Sequence, residues 1–163
     1  MTALDEQIIK TKQLLNQAVL HEVLEKIHTS QILLFAVGLS RLVAEDLHQR
    51  LRTVGKNTQI FLDPHVMNYN AKMLKGGDLT FAISVSGTTR TPMQATTIAK
   101  VAGATTVSIT GFSENLLSQS TDYQFYGMTS EVVINGIDVS DRLSLVYIVH
   151  TIFSEYVYHY LIK

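Results

Sequence analysis

Short apolar runs alternate with helix-period stretches along almost the whole chain, and this alternation excludes most architectures. A continuous apolar run of about four to eight residues suits a strand buried on both faces. Gln31-Ile-Leu-Leu-Phe-Ala-Val37 is such a run, and Gln59–Leu62, Leu79–Ser84, Ala104–Ile109 and Asp122–Tyr126 follow it. The segments between them read as helices. From Ser40 to about Thr53, the residues Val43, Leu47, Leu51 and Val54 share one face, with Ser40 expected as the N-cap and Gly55 as the stop. His65–Leu74 reads as a second helix, and Pro92–Ala102 as a third with Pro in its first turn and Gly103 beyond its end. A short helix is expected from Ser113, and Gly127–Ser140 reads mostly as loop. Residues 4–29 are helical in period, with a break near Asn16, and Asp141–Ile162 forms a long, largely apolar terminal helix.

Such alternation closes as a parallel sheet with helices on both faces, reached by right-handed crossovers. The expected fold is α/β, a three-layer αβα sandwich around a five-stranded parallel sheet. A leading helical segment (residues 1–30) would pack on a single domain spanning 31–163. One domain suits 163 residues. In this class, ligands bind outside the carboxyl ends of the strands.

Composition narrows the chemistry. Net charge is −1 with 46% hydrophobic residues, unlike a disordered chain. The chain lacks the clustered cations of a nucleic-acid surface, so no direct nucleic-acid contact is expected. Cysteine is absent, which excludes disulfides, cysteine nucleophiles, thiolate zinc sites and iron–sulfur clusters. The apolar stretch Leu143–Phe153 is too short to span a bilayer, which needs about 20 residues. The charged N-terminal MTALDEQIIK has no hydrophobic signal region. These features predict a cytoplasmic chain with no membrane association.

The richest local signal is Ser84-Val-Ser86-Gly87-Thr88-Thr89-Arg90, between a buried strand and a helix start. Backbone N–H groups at a helix N-terminus favour an anion. Gly87 permits close approach of the backbone, the hydroxyls can rotate toward a phosphate oxygen, and Arg90 would add a cation. A second loop, Gly38-Leu39-Ser40, leaves the first strand on the same sheet edge, so its hydroxyl can converge on the same group. Read locally, either loop is also an ordinary strand-to-helix turn with a Ser or Thr cap. No GxxxxGK[ST] or GxGxxG is present, which argues against triphosphate and dinucleotide sites. A hydroxyl-rich loop also suits flavin mononucleotide, but in flavodoxin-like proteins that loop follows the first strand, whereas here it follows the third.

These residues resemble the sugar isomerase (SIS) domain, a flavodoxin-like fold of phosphosugar isomerases and phosphosugar-binding regulators. Its SxSGxT motif matches Ser84, Ser86, Gly87 and Thr89, its glycine-and-serine loop matches Gly38 and Ser40, and Lys100-Val-Ala-Gly-Ala-Thr-Thr-Val-Ser-Ile-Thr110 is similar to another family segment. The resemblance runs from about Ile32 to the C-terminus. Val54-Gly-Lys-Asn57, Asp63-Pro-His65 and Ser140-Asp-Arg142-Leu143 look most like the effector domain of RpiR-type transcriptional regulators. Those regulators place a helix-turn-helix domain ahead of this module, and none is expected in the leading segment here. Ala36 departs from the family's usual first-loop glycine, and Arg90-Thr91-Pro92 stands where an acidic residue is common.

The resemblance implies that Gly38, Ser40, Ser84, Ser86, Gly87, Thr88 and Thr89 surround a phosphate, with His65 and Arg142 against the sugar. It also implies a homodimer or homotetramer, which the apolar girth of the last helix supports. Isomerisation requires a base near a carbon-bound hydrogen. His65 and Glu131 are candidates, as are His150 and Glu155, but no residue is designated for the task. No metal or cofactor is expected. The reading is a sugar-phosphate-binding domain that senses the effector of a regulator of sugar metabolism. Alternatives are a phosphosugar isomerase, a flavin-binding protein and a dimerisation module without ligand.

Overall fold

The computed structural model describes residues 1–162. Its central sheet comprises β1 (Ile32–Phe35), β2 (Thr58–Phe61), β3 (Leu79–Ser84), β4 (Thr105–Gly111) and β5 (Tyr123–Gly127). The order is β2-β1-β3-β4-β5, all parallel. Side chains alternate across this sheet. Ile32 and Leu34 of β1 join Phe81 and Ile83 of β3 in one core, while Leu33 and Phe35 join Ala82 in the other. Both sheet faces are therefore apolar, as the continuous hydrophobic runs require.

Helices α3 (Ser40–Thr53), α4 (Pro64–Lys72), α5 (Arg90–Val101) and the short α6 (Leu116–Gln119) form the crossovers. Helix α4 seals one face with α5 and α6, through Met67, Ala71, Ala95, Ala99 and Leu117. The other face is covered by α3, by α1 (Ala3–Leu14) and α2 (Gln17–Thr29), and by α7 (Leu143–Tyr156). The break between α1 and α2 falls where the sequence placed it. Asn16 caps α2 by accepting from the Ala18 and Val19 N–H groups at 2.9 and 3.1 Å.

Three details differ from the sequence reading. Ser40 does not cap α3: Leu39 occupies the cap position without a side-chain hydrogen bond, and Ser40 is the first helical residue. Helix α5 starts at Arg90, so Pro92 sits one position deeper than the first two helical residues. The segment read as loop contains a hairpin of β6 (Val133–Ile134) and β7 (Ile137–Asp138). Asn135 and Gly136 turn it with φ of 51° and 78°, the paired positive angles of a type I′ turn. The apolar girth of α7 is largely accounted for within the chain: Leu145, Ile148, Val149, Ile152 and Tyr156 are buried against the sheet and α1–α3. Beyond Tyr156 the chain continues as a π-helical turn, Val157–Leu161. Among the described residues, no helix is long and apolar enough to cross a membrane.

Candidate functional site

Strand order reverses between β1 and β3, because β1 leads to β2 on one side while β3 opens the other. A crevice forms at such a switch point, outside the carboxyl ends of the strands. Here it is a cleft of about 320 Å³ lined by the loop after β1, the loop after β3, and residues Asp138 and Arg142. The sheet thus brings Gly38, Ser40, Ser84, Ser86, Thr89 and Arg142 to one cleft.

The loop after β3 is pre-shaped by its own hydroxyls. Ser84, only 3% exposed, accepts from the Gly87 N–H at 3.1 Å, and its Oγ lies 2.9 Å from Thr89 Oγ1. Ser86 Oγ accepts from the Thr88 N–H at 3.2 Å and from Thr88 Oγ1 at 3.0 Å. Gly87 has φ +68°, and a Cβ there would lie 2.1 Å from Asn115 Cγ and Oδ1. Asn115 is buried behind the loop. It donates to Thr110 Oγ1 at 3.0 Å and accepts from the Ser118 N–H at 2.8 Å, and the Leu117 N–H reaches Gly87 O at 3.0 Å. The glycine is therefore a packing requirement of the loop as well as a conformational one.

The helices around the cleft begin differently from the others. Helices α1, α2, α4 and α6 each carry a side-chain N-cap, from Thr2, Asn16, Asp63 and Asn115. Helices α3 and α5, which follow the two cleft loops, have none. At α7 the cap residue Arg142 makes no such bond, although Asp141 accepts from the Leu143 N–H at 2.7 Å. At α3 the Arg41 and Leu42 N–H groups donate to Gly38 O and Leu39 O at 3.2 and 3.1 Å. The first N–H groups of a helix carry partial positive charge, so starts without a side-chain cap at a cleft suit an anion.

Arg142 is held in place by three acceptors. Its Nη2 donates to Asp138 Oδ2 at 2.6 Å, Nη1 to Ser140 O at 2.5 Å, and Nε to Ser40 Oγ at 3.4 Å. Asp138 accepts in addition from the Ser140 N–H at 2.9 Å. The Arg142 guanidinium and the bonds from Ser140 hold the Asp138 carboxyl well below the usual carboxylate range. Among the described residues lining the cleft, these two alone are charged, and their charges cancel.

Other sequence candidates lie elsewhere. His65 is exposed in the first turn of α4, where its N–H donates to the capping carboxylate of Asp63 at 2.9 Å, and it does not line the cleft. Glu131 is exposed ahead of the hairpin and is likewise absent from the lining. Arg90 does not bring its expected cation to the cleft. It is exposed along the outer groove of α5, with Met93, Gln94 and Leu116. Thr88 is exposed and Gly87 buried, so both act within the loop and not on the cleft wall. His150 pairs with Asp46 at 2.6 Å, and His159 with Glu155 at 3.2 Å, on the outer surface of α7 and its extension. Among the described residues no acidic or histidine cluster could hold a metal ion. Sequence reading missed Asn115 and Asp138. The Asn135-Gly136 pair between Val133-Ile134 and Ile137 is the signal that would have exposed the hairpin carrying Asp138.

The SIS domain model matches residues 27–145, which take in the five-stranded sheet and both cleft loops. The chain belongs to the SIS-domain family. This SIS domain is 31% identical over 129 residues to the HTH-type transcriptional regulator YbbH of Bacillus subtilis, covering 78% of this chain and 45% of the relative. It superposes on the NanR protein of Vibrio vulnificus, solved in complex with ManNAc-6P, with a TM-score of 0.88 and 24% identity. That match covers 96% of this chain and 60% of NanR. The sugar isomerase domain of an RpiR transcription factor from Sphaerobacter thermophilus aligns with a TM-score of 0.86 and 19% identity, over 95% of this chain and 86% of the other. The chain spans about half the length of the curated relatives it matches, and the resemblance to RpiR-type regulators inferred from the motifs is met.

Proposed function

We propose that the SIS domain binds a sugar phosphate at the β1–β3 switch point and senses it as the effector module of a cytoplasmic transcriptional regulator of sugar metabolism. The observation that carries this reading is convergence. The hydroxyls of Ser40, Ser84, Ser86 and Thr89 meet in one cleft, at the uncapped starts of α3 and α5. In this arrangement the hydroxyls and the backbone amides of Ser86 and Thr89 donate to the phosphate, while the amides of Gly87 and Thr88 hold the loop through Ser84 and Ser86. The cleft volume falls at the lower end of the roughly 300–1,000 Å³ typical of small-molecule sites.

Sensing is favoured over isomerisation by the cleft wall. His65 and Glu131 lie off it, and the one carboxylate on it, Asp138, is held at low proton affinity by Arg142. A general base works best when its pKa lies near the working pH. Relatives named as regulators, and a structural neighbour solved with ManNAc-6P, support the same reading. The proposal includes assembly as a homodimer or homotetramer. Exposed Val66 and Tyr69 on α4 and Met73 just past its end, with Val101 on α5 and Leu116 on α6, supply apolar surface for it.

The test is a thermal-shift panel of sugar phosphates, with free sugars and inorganic phosphate as controls. A ligand at about 100 times its Kd stabilises by about 2.7 kcal/mol, which for a chain of this length raises Tm by roughly 5–10 °C. A selective rise with phosphorylated sugars is expected, without conversion of the ligand in the same mixture. A flat panel on folded protein would overturn the ligand reading, and ketose–aldose conversion would replace sensing with catalysis.

A further inference from the structure

The cleft has two chemically distinct walls. The loops after β1 and β3 offer neutral donors, whereas the hairpin adds an acceptor to the lining, Asp138. We infer that Asp138 is the specificity-determining residue of the cleft, accepting hydrogen bonds from the hydroxyls of a sugar monophosphate and excluding ligands that carry a second anionic group. This inference rests on the sugar-phosphate reading and names the ligand class within it.

Three observations carry it. First, the Arg142 cation is not free to receive a second anion. Its side chain is 12% exposed and already donates to Asp138, Ser140 O and Ser40 Oγ. Second, Asp138 retains accepting capacity. A carboxylate has about four lone-pair sites. Arg142 occupies one on Oδ2 and the Ser140 N–H one on Oδ1, while the side chain remains 45% exposed at the cleft. The remaining accepting capacity suits sugar hydroxyls. Third, the carboxylate is positioned from both ends. The hairpin register pairs Asp138 with Val133, and Ser140 Oγ accepts from the Val132 N–H at 2.8 Å, tying the two strand ends together.

The electrostatic consequence follows directly. A phosphate at the hydroxyl loop meets donors, whereas a second phosphate or a carboxylate beside the hairpin meets the carboxylate of the Asp138–Arg142 pair, which is its exposed member at 45% against 12% for the arginine side chain. Like charges at short range repel, and more strongly in a partly desolvated cleft. A neutral or amino sugar monophosphate is accepted; a sugar bisphosphate or phosphorylated sugar acid is not.

Calorimetry on the whole chain tests this, using hexose and pentose monophosphates, a hexose bisphosphate and phosphogluconate. For the unmodified protein, the best monophosphate is expected to bind at least tenfold tighter than either doubly anionic ligand. Asp138→Asn keeps the shape and an acceptor but removes the charge; it should cut that ratio at least tenfold, weakening the monophosphate and strengthening the others. Asp138→Glu, which keeps the charge, should preserve the preference and guards against loss of the hairpin in the first variant. A residue that merely staples the hairpin would weaken all ligands alike, and an unchanged ratio in Asp138→Asn would overturn the inference. If monophosphates bind but the unmodified protein shows no preference over bisphosphates, the inference alone fails. If nothing phosphorylated binds, the function proposed above fails with it.

Discussion

Replacing Gly87 by Ala tests whether the loop after β3 is as tightly determined as its contacts indicate. The backbone there has φ +68°, which costs an L-residue roughly 1–2 kcal/mol. The new methyl would also lie 2.1 Å from Asn115 Cγ and 2.6 Å from its Cβ, so Asn115 must move. Moving it removes the cap of α6, worth about 1 kcal/mol. It also breaks the buried bond to Thr110, leaving a polar group unpaired at about 1–3 kcal/mol. The sum is about 3–6 kcal/mol, a large part of the ~5–15 kcal/mol that holds a domain folded. Urea unfolding should show a lower midpoint at unchanged slope, and Tm should fall by roughly 10 °C or more. Asn115→Gly in both backgrounds separates the clash from the backbone strain. The double variant should be less destabilised than the sum of the singles by at least about 1 kcal/mol. A Gly87→Ala protein within about 1 kcal/mol of the original would refute this account of the loop.

Ser86→Ala should weaken sugar-phosphate binding about 10- to 100-fold by calorimetry, since a hydrogen bond to a charged group contributes roughly 1.5–3 kcal/mol; unchanged affinity would remove Ser86 from the phosphate contacts. Affinity should change by no more than about threefold between roughly 0.05 and 0.2 M salt, because the charges of Asp138 and Arg142 cancel at the cleft. A steep dependence would mean that a further cation reaches the ligand. Burial, with Arg52 nearby as a smaller cause, lowers the pKa of His48, whose Nδ1 lies 2.7 Å from Thr58 Oγ1. The unfolded chain then takes up a proton before the folded one, so this stabilisation is full above the ordinary value of 6.5 and is lost as pH falls through the folded value. Thermal melts from neutral pH to about pH 5 should show a smaller loss in His48→Gln than in the unmodified protein; equal losses would exclude His48 as the cause.

Much of the architecture was legible because its signals are local. Continuous apolar runs marked the strands, three-and-four spacing marked the helices, and Asn16 marked the break between α1 and α2. The phosphate-type loop was also legible, since Ser84, Ser86, Gly87 and Thr89 lie within six consecutive residues and bond to one another. The hairpin was legible in Asn135-Gly136 but obscured by the short strands around it.

Tertiary structure decided the rest, for a physical reason. Local periodicity says which face of an element is apolar but not which elements become neighbours. The strand order set Ser40 against Arg142, 102 positions apart, and brought Asp138 onto the same cleft. It left His65, Glu131 and Arg90 outside that cleft, although their residue types suited it. It also enclosed α7 beneath α1–α3, so that an apolar helix which alone suggests a partner chain is largely satisfied by its own. The sequence by itself determined a parallel α/β sheet with a hydroxyl-rich loop at a strand end. Only packing determined that this loop shares its cleft with an ion pair whose arginine is largely covered and whose carboxylate is exposed.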